Sequence, residues 1–233
     1  MKAKEEFIIT QKWLKKIKAC KYGLRAFKEH FPNGGEALEV LKRCEEFNYK
    51  NFGEWLVDCL PPIYPPLVLN TSIGSLFYPN DVHIKGDIST QGLIYIKGSL
   101  KVDGKLTVNK DGNVYTNIND INANVIDIRG DASILAIEAL IKANFIIMSN
   151  CAFISGDTVA NRISLRDSAK IFGNTKAKVI NFKGGYIVGD ADANEIINDG
   201  GLIKGNVNTI KIESINGGKV DGKITYKRSD EHK

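Results

Sequence analysis

The chain has 233 residues, of which 43% are hydrophobic and 25% charged, the balance of an ordinary globular protein rather than a disordered one. Its 32 Lys and Arg against 27 Asp and Glu leave a net charge of +5, too small without clustering to indicate a nucleic-acid-binding protein. No segment approaches the roughly 18 uninterrupted apolar residues of a membrane helix, and the N-terminus lacks the apolar core of a secretory signal. Cys20, Cys44, Cys59 and Cys151 have no metal-binding or disulfide-framework spacing. We therefore expect a cytoplasmic protein without a membrane span.

The N-terminal quarter of the chain has the pattern of a small helical domain. Apolar residues at helical spacing predict three short helices, within Trp13–Phe27, Ala37–Cys44 and Phe52–Cys59. A bundle of this length is near the lower limit for independent folding, because small domains bury too little surface. We expect residues 1–60 to form an α-helical cap domain that docks on the first coil of whatever follows.

Four prolines between residues 61 and 66 mark an abrupt change in composition. Most of the 22 glycines follow them, and no proline occurs after Pro79. Prolines stiffen the backbone and exclude helix, so this cluster indicates a domain boundary. Residues 61–81 are predicted to be a proline-rich linker that leads into the first coil.

A short phrase recurs from about residue 82 onwards: Val or Ile, any residue, then Gly. Its last five glycines follow one another at a nearly constant spacing, a period of about 16–17 residues. They are Gly156, Gly173, Gly189, Gly205 and Gly222. Upstream, the intervals from Gly104 to Gly130 and from Gly130 to Gly156 are equal to each other but wider, so the middle of the repeat is degenerate.

A period this short predicts a solenoid, in which each turn stacks on the previous one. Within a turn the apolar residues alternate, as at Ile210 and Ile212, which is typical of a strand with one buried face. Three strands and three Gly, Asn or Asp corners account for about 16–18 residues, so residues 82–226 would form about eight coils. A β-sandwich of hairpins is the alternative, but its turns would be irregularly spaced.

The glycine phrases of residues 82–224 resemble those of the bactofilin group, polymer-forming cytoskeletal proteins of bacteria. The resemblance implies a mainly β fold, a right-handed three-sided parallel β-helix, and end-to-end assembly without nucleotide. The chain departs from that group in its helical N-terminal domain and in the apolar run Ile134–Ile141. The phrase Ala19–Leu24, with Phe27, is similar to a small helical module of uncharacterised phage and bacterial proteins, which carries no known chemistry.

Few residues have the pattern of a catalytic or metal site. His30, His83 and His232 are scattered in sequence, whereas a catalytic base or a metal site needs partners within reach. Cys151 lies in an apolar run and is expected to be buried. We therefore predict no catalytic, cofactor-binding or metal-binding residue and a protein that is not an enzyme. A β-helix acyltransferase or polysaccharide-active enzyme is the alternative, and it would need a cleft around His83 or clustered aspartates.

Aspartate directly follows glycine at four predicted corners. A row of these carboxylates could bind calcium, but the residue type is also expected wherever a side chain caps its own turn. We favour the corner role. The residues are Asp87, Asp131, Asp157 and Asp190.

Both ends of the solenoid are expected to be covered, by the helical cap at one end and by the charged tail 227–233 at the other. Covered ends favour a discrete particle that binds another protein along its flank. The predicted function is a non-enzymatic inhibitor or immunity-type protein that neutralises a cytoplasmic partner such as a toxin. The alternative is a bactofilin-like self-assembling scaffold, and a nucleic acid is not an expected partner. The candidate binding residues are Lys170, Lys176, Lys178, Asn194, Glu195 and Lys211.

Overall fold

The protein, as a computed structural model, is described over residues 7–70, 74–117 and 120–228. This part of the chain is mainly β, a parallel solenoid of about nine turns preceded by four helices, which confirms the predicted fold class. None of its helices is long and apolar enough to cross a membrane. His232 and most of the predicted charged tail lie outside the described residues.

The helical domain has four helices, so the prediction of three was wrong for the first. The chain turns at Lys18, whose φ is 61°, and the Ala19 N–H donates to the carbonyl of Leu14 at 2.9 Å. The sulfur of Cys20 then accepts a hydrogen bond from the N–H of Gly23 and starts a new helix. The helices are α1 (Gln11–Lys16), α2 (Lys21–His30), α3 (Ala37–Glu46) and α4 (Lys50–Cys59). Strands β1 (Ile8–Ile9) and β2 (Gly35–Glu36) pair in antiparallel fashion beside them.

The remaining strands pair in parallel and form three ladders, which are the three sides of the solenoid. The short strands are β3 (Leu67–Leu69), β4 (Leu76–Tyr78), β5 (Val82–Ile84), β6 (Ile88–Thr90), β7 (Leu93–Ile96), β9 (Asn113–Asn117), β15 (Leu202–Lys204), β17 (Lys219–Val220) and β18 (Ile224–Tyr226). The long strands, which bend around corners, are β8 (Leu100–Asn109), β10 (Ile121–Arg129), β11 (Ser133–Ser149), β12 (Phe153–Phe172), β13 (Thr175–Val188), β14 (Ala191–Asp199) and β16 (Val207–Ile215).

The ladders are named by their order within a coil. The first ladder runs from β3 through β5, β8 and β10 to β18, and the second from β6 through the later halves of the long strands to β16. The third ladder runs from β4 through β7 and β9 to β15 and β17. Because β3 and β4 already belong to ladders, the solenoid includes strands from the segment predicted as a linker.

Coil length explains why the glycine phrase fails in the middle of the chain. On the first ladder Leu100 pairs with Ile121, and Ile121 pairs with Ile141, so the two coils that begin at Leu100 and Ile121 are longer than the period of the glycine phrase. Beyond Ile141 the coils shorten to that period. The successive register partners there are Thr158, Thr175, Ala191, Val207 and Ile224. Since Ile121 and Ile141 are fully buried, the middle coils keep the aliphatic core while their corners lengthen.

The repeated glycines are required because successive coils approach too closely for a side chain. A Cβ on Gly189 would lie 2.4 Å from the carbonyl oxygen of Gly173, and one on Gly205 would lie 2.2 Å from that of Gly189. Gly189 also has a φ of 150°, a conformation that residues with a side chain rarely adopt. The phrase is thus a column of glycines along one corner of the solenoid.

The polar residues that follow these glycines join one coil to the next. Asp157 Oδ1 accepts from the N–H of Asn174 at 2.7 Å, and Asn174 Oδ1 accepts from the N–H of Asp190 at 3.1 Å. Asp190 Oδ1 continues the series to the N–H of Asn206 at 2.7 Å. The predicted corner placement is correct, but these side chains bond to the next coil rather than to their own turn.

The helical domain docks on the N-terminal end of the solenoid, as expected. Leu38 of α3 packs against the aliphatic core of the solenoid, and α3 and α4 both contact β4. Apolar residues of the third ladder, Phe77 and Tyr95 among them, belong to the core of the helical domain. The two parts therefore have separate apolar cores, and Leu38 packs against both.

The C-terminal end of the described chain is open. Ile215 is 41% exposed, and Ile224 and Tyr226 of the last strand are 38% and 64% exposed. Lys227, from the predicted charged tail, forms an ion pair with Asp192 on the outside of the first ladder. Lys227 therefore folds back along the flank.

The expectation that Cys151 is buried was wrong, since its side chain is exposed.

Replacing Gly189 with Ala should destabilise the solenoid by about 2–4 kcal/mol, since the new Cβ meets a carbonyl oxygen and the φ is unfavourable for alanine. Denaturant unfolding followed by circular dichroism measures the change. Gly74→Ala is the matched control, since no atom of the described residues lies within 4 Å of a Cβ at Gly74, and it should change stability by less than about 0.5 kcal/mol. Equal stability of the two variants would contradict the close stacking of the coils.

Candidate functional site

The two histidines in the described part of the chain, His30 and His83, lie apart, in the helical domain and on the first ladder. His83 Nε2 lies 2.9 Å from Asp103 Oδ2, and Lys101 Nζ lies 3.2 Å from Asp103 Oδ1, on the outside of the first ladder. Hydrogen bonds from His83 and then from Lys101 lower the pKa of the Asp103 carboxyl. His30 packs at 4.6 Å against the ring of Phe47 in the helical domain. Within the described ranges, no three His, Cys, Asp or Glu side chains are grouped so that they could hold a metal ion.

A buried carboxylate that the sequence did not indicate lies on the second ladder. Asp127 is 1% exposed and accepts hydrogen bonds from Arg129 Nε at 2.9 Å and Nη2 at 2.6 Å. Lys105 Nζ approaches it at 2.5 Å from the neighbouring coil. Burial by itself would raise the pKa of Asp127, but the bonds from Arg129 and Lys105 outweigh burial and lower it. The group joins two coils, and both of its cations are engaged.

Five of the six candidate binding residues lie near one edge of the solenoid. Lys176 is on the first ladder, whereas Glu195 and Lys211 are register partners on the second ladder and form an ion pair of 3.6 Å. Lys178 and Asn194 lie at the corner between these two ladders. This edge is polar and carries charges of both signs.

The sixth candidate residue lies on a different face. Lys170 belongs to the third ladder, and its ammonium nitrogen is 5.7 Å from the centre of the Tyr186 ring. The six residues therefore do not form one surface. Lys170 instead points to the outer side of the third ladder, which differs in composition from the other two.

The helical domain covers the N-terminal part of this outer side, here called the third face. Phe77 and Tyr95 are register partners that point outward, and they are 2% and 8% exposed beneath the helices. Gly53 lets α4 approach, since a Cβ there would lie 2.7 Å from the Phe77 ring. The Tyr95 hydroxyl bonds to the carboxylate of Asp58 at 3.1 Å.

Two charged groups fix this contact. Lys97 Nζ donates to the carbonyls of Asp58 at 2.9 Å and Leu60 at 3.0 Å, so it satisfies carbonyls at the C-terminal end of α4. Glu45 Oε1 accepts from the N–H of Phe77 at 2.9 Å. Burial raises the pKa of Glu45, although the bond from Phe77 partly offsets this. Glu45 thereby satisfies a backbone amide of β4, the first strand of the third ladder.

The apolar character of the third face continues past the helical domain. Tyr95 stacks on Tyr115 of the next coil with ring centres 4.5 Å apart, and Leu135 follows Tyr115 in the same row. Further along, the rings of Phe153 and Phe172 meet at 5.2 Å. We call the continuation the third-face stripe, and it consists of Leu135, Phe153, Phe172, Tyr186, Val188 and Leu202.

Much of the stripe is accessible. Phe172 is 41% exposed and Tyr186 39% exposed, while the inward residues Ile171 and Ile187 beside them are fully buried. Within the strand segments that pair on the third ladder, the charged residues are Lys170, Lys204 and Lys219, and none of these segments carries an acidic residue. The third-face stripe is therefore an apolar and aromatic surface with only positive charge along its paired segments.

Comparison with known proteins concerns the helical domain. The family model of the YdhT N-terminal domain matches residues 1–60, about a quarter of the chain. This match fits the resemblance of the Ala19–Leu24 phrase to a recurrent N-terminal module. No curated protein and no solved structure matches the chain. The resemblance of the solenoid to bactofilins is not confirmed by these comparisons.

The variant Glu45→Gln should be at least as stable as the wild type at pH 7, because it keeps an acceptor for the Phe77 N–H without a half-buried charge. The pKa of Glu45 is raised in the folded protein, so the protonated carboxyl stabilises the fold relative to the ionised one. This contribution to the free energy of unfolding is fully present below the ordinary glutamate pKa and is lost as the pH rises through the pKa of the folded state. The advantage of Glu45→Gln should therefore grow between pH 4 and pH 7 in denaturant titrations.

Glu45→Ala should instead lose about 1–2 kcal/mol, since the amide of Phe77 loses its acceptor. Glu46→Gln is the control on the same helical turn; it removes exposed pairs with Arg43 and Lys42 and should cost less than about 1 kcal/mol. The assignment of Glu45 is wrong if Glu45→Gln loses as much stability at pH 7 as Glu45→Ala.

Proposed function

We propose that this protein is a non-enzymatic binding protein whose third-face stripe holds the acidic and apolar surface of a partner protein. The observation that supports the proposal is the continuity of this face. Its N-terminal part is already an interface, covered by α4, and the same outward rows continue over the following coils, apolar in most positions but interrupted by Asn113, Ser133 and Ser155.

The composition of the stripe suits protein recognition. Aromatic residues are enriched in the cores of protein interfaces, and Phe172 and Tyr186 are exposed on adjacent coils. Their backbone is held by ladder hydrogen bonds on both sides, so little conformational entropy is lost on binding. Lys170, on the strand of Phe172, and Lys204, on β15 next to the strand of Tyr186, favour a partner with acidic residues around an apolar centre.

Within this proposal, the partner is a cytoplasmic protein that is neutralised when the solenoid covers its surface, as an immunity-type protein does with a toxin. A rigid flank can block a macromolecular surface without any chemistry of its own. The proposal places the contact on the third face, whereas five of the six residues predicted from the sequence lie on another edge. Substitutions on these two surfaces are therefore expected to have different effects on the affinity for the partner.

A second candidate function, bactofilin-like self-assembly, is favoured by the open C-terminal coil. Among the described strands β18 is the last of the first ladder, and its Ile224 and Tyr226 are exposed; an edge strand can add a strand from another molecule. At the other end α3 contacts β4 of the third ladder, and assembly through β18 alone would join molecules in pairs. Light scattering that reports two chains for the wild type and one for Ile224→Asp would support this role.

The test of the main proposal is affinity capture of the partner from the native host, followed by binding measurements on variants. Phe172→Ser with Tyr186→Ser should weaken binding by at least about 30-fold, the cost of removing interface hot spots. Lys170→Glu with Lys204→Glu should weaken it by introducing like charges opposite an acidic partner.

Lys176→Glu with Lys211→Glu changes the same residue type on the edge predicted from the sequence and serves as the matched control. The proposal expects its affinity to stay within about threefold of the wild type. Loss of binding in this control with full binding by the stripe variants would contradict the assignment of the third face. Failure of the wild type to retain any protein, even with cross-linking, would contradict the protein-binding role.

A further inference from the structure

The helical domain contains a cavity of about 320 Å³ between its four helices. Its inner wall is apolar and includes the aromatic rings of Phe27, Phe31, Phe52 and Trp55. Protein interiors are normally close-packed, and few voids larger than a water molecule persist in them. The volume instead falls in the range of small-molecule sites, about 300–1,000 Å³.

The lining carries charge of one sign. It comes from Lys18 and Arg43, and none of the lining residues is Asp or Glu. Lys18 and Arg43 are exposed, whereas Phe27 is buried, so the two permanent cations lie towards the solvent side of the apolar wall. This arrangement matches a molecule with an apolar body and one anionic group.

The local structure holds the backbone of Lys18 and the guanidinium of Arg43. The turn that separates α1 from α2 fixes the backbone of Lys18, where the Lys18 N–H donates to the carbonyl of Lys15 at 3.1 Å. The guanidinium of Arg43 lies over the ring of Phe47 at 5.4 Å and pairs with Glu46 at 2.9 Å. Arginine has five N–H donors, so these contacts leave donors for a ligand.

We infer that the helical domain binds a small organic carboxylate whose aromatic or aliphatic body fills the cavity while its carboxylate pairs with Lys18 and Arg43. Aromatic walls suit both kinds of body, and the cations specify the acid over a neutral analogue. This site is separate from the third-face stripe, so it holds or fails independently of the proposed function.

The experiment uses the full chain and isothermal titration calorimetry with two acids, 2-naphthoate and decanoate, each paired with its alcohol, 2-naphthylmethanol or decanol. Preference for one acid distinguishes an aromatic from an aliphatic ligand. We expect one molecule bound per chain, and an affinity for the acid at least tenfold higher than for its alcohol. Lys18→Gln and Arg43→Gln should each reduce the affinity for the acid and leave that for the alcohol unchanged.

Gly23→Met tests the cavity itself. A Cβ on Gly23 would lie at ordinary contact distances, 3.5 Å from the Cys20 sulfur and 3.6 Å from Phe52, and a longer side chain would extend among the lining residues. Methionine also favours helix over glycine, so α2 should persist. Binding of both the acid and the alcohol should be lost. Tyr22→Met, at a neighbouring side chain that is 80% exposed, is the control and should bind normally.

Three results would overturn the inference. They are the absence of binding by either acid at 1 mM, equal affinity for acid and alcohol, and full binding by a folded Gly23→Met. If Gly23→Met does not fold, as judged by circular dichroism, the exposed variants Lys18→Gln and Arg43→Gln decide the matter. Unchanged affinity for the acid in both of them would also overturn it.

Discussion

The close stacking of successive coils is the constraint on which the rest of this structure depends. Neighbouring strands of a ladder lie about 4.8 Å apart, and at one corner the backbones approach so closely that Gly189 and Gly205 cannot carry a Cβ. Residues that are one coil apart in sequence are therefore direct neighbours in space. Inward, this brings isoleucine over isoleucine in a continuous core. At the corners it brings the side chain of Asp157 within reach of the next coil's backbone.

The same stacking converts single outward residues into surfaces. Phe153 and Phe172 are far apart in sequence, yet their rings are in contact because they occupy adjacent coils. On the third ladder this places aromatic and aliphatic residues in rows along much of the solenoid. The helical domain uses the start of these rows at Phe77 and Tyr95, and the proposed binding surface is what remains beyond it. The register of the third ladder thus accounts both for the contact with the helical domain and for the surface proposed to bind a partner.

Much of the fold could be predicted from the sequence, because the glycine column is visible as a period. The period is lost between Gly104 and Gly156, where two coils are longer than the rest and the core continues without the phrase. The break between α1 and α2 was missed because it depends on Lys18 in a left-handed conformation, which residue type does not indicate. The role of Asp157 was misjudged for a similar reason, since its partner is the backbone of another coil.

The candidate site was harder to predict than the fold. Lys170 and five polar residues were chosen only because they were expected to point outward, and the structure places them on two different faces. An outward Phe172 or Tyr186 looks like part of any alternating strand, and only the register shows that such residues adjoin one another. The cavity of the helical domain is still less visible, because Lys18 and Arg43 reach it from different helical segments.

Distances between spin labels on the first ladder test the stacking most directly. Lys101, Lys176 and Asn208 occupy one outward row, with four coil steps from Lys101 to Lys176 and six from Lys101 to Asn208. Pulsed electron paramagnetic resonance should therefore give separations of about 19 Å and about 29 Å, allowing for the label linkers. Separations that do not increase with the number of coils, or a Lys101–Asn208 distance shorter than Lys101–Lys176, would contradict the parallel in-register solenoid.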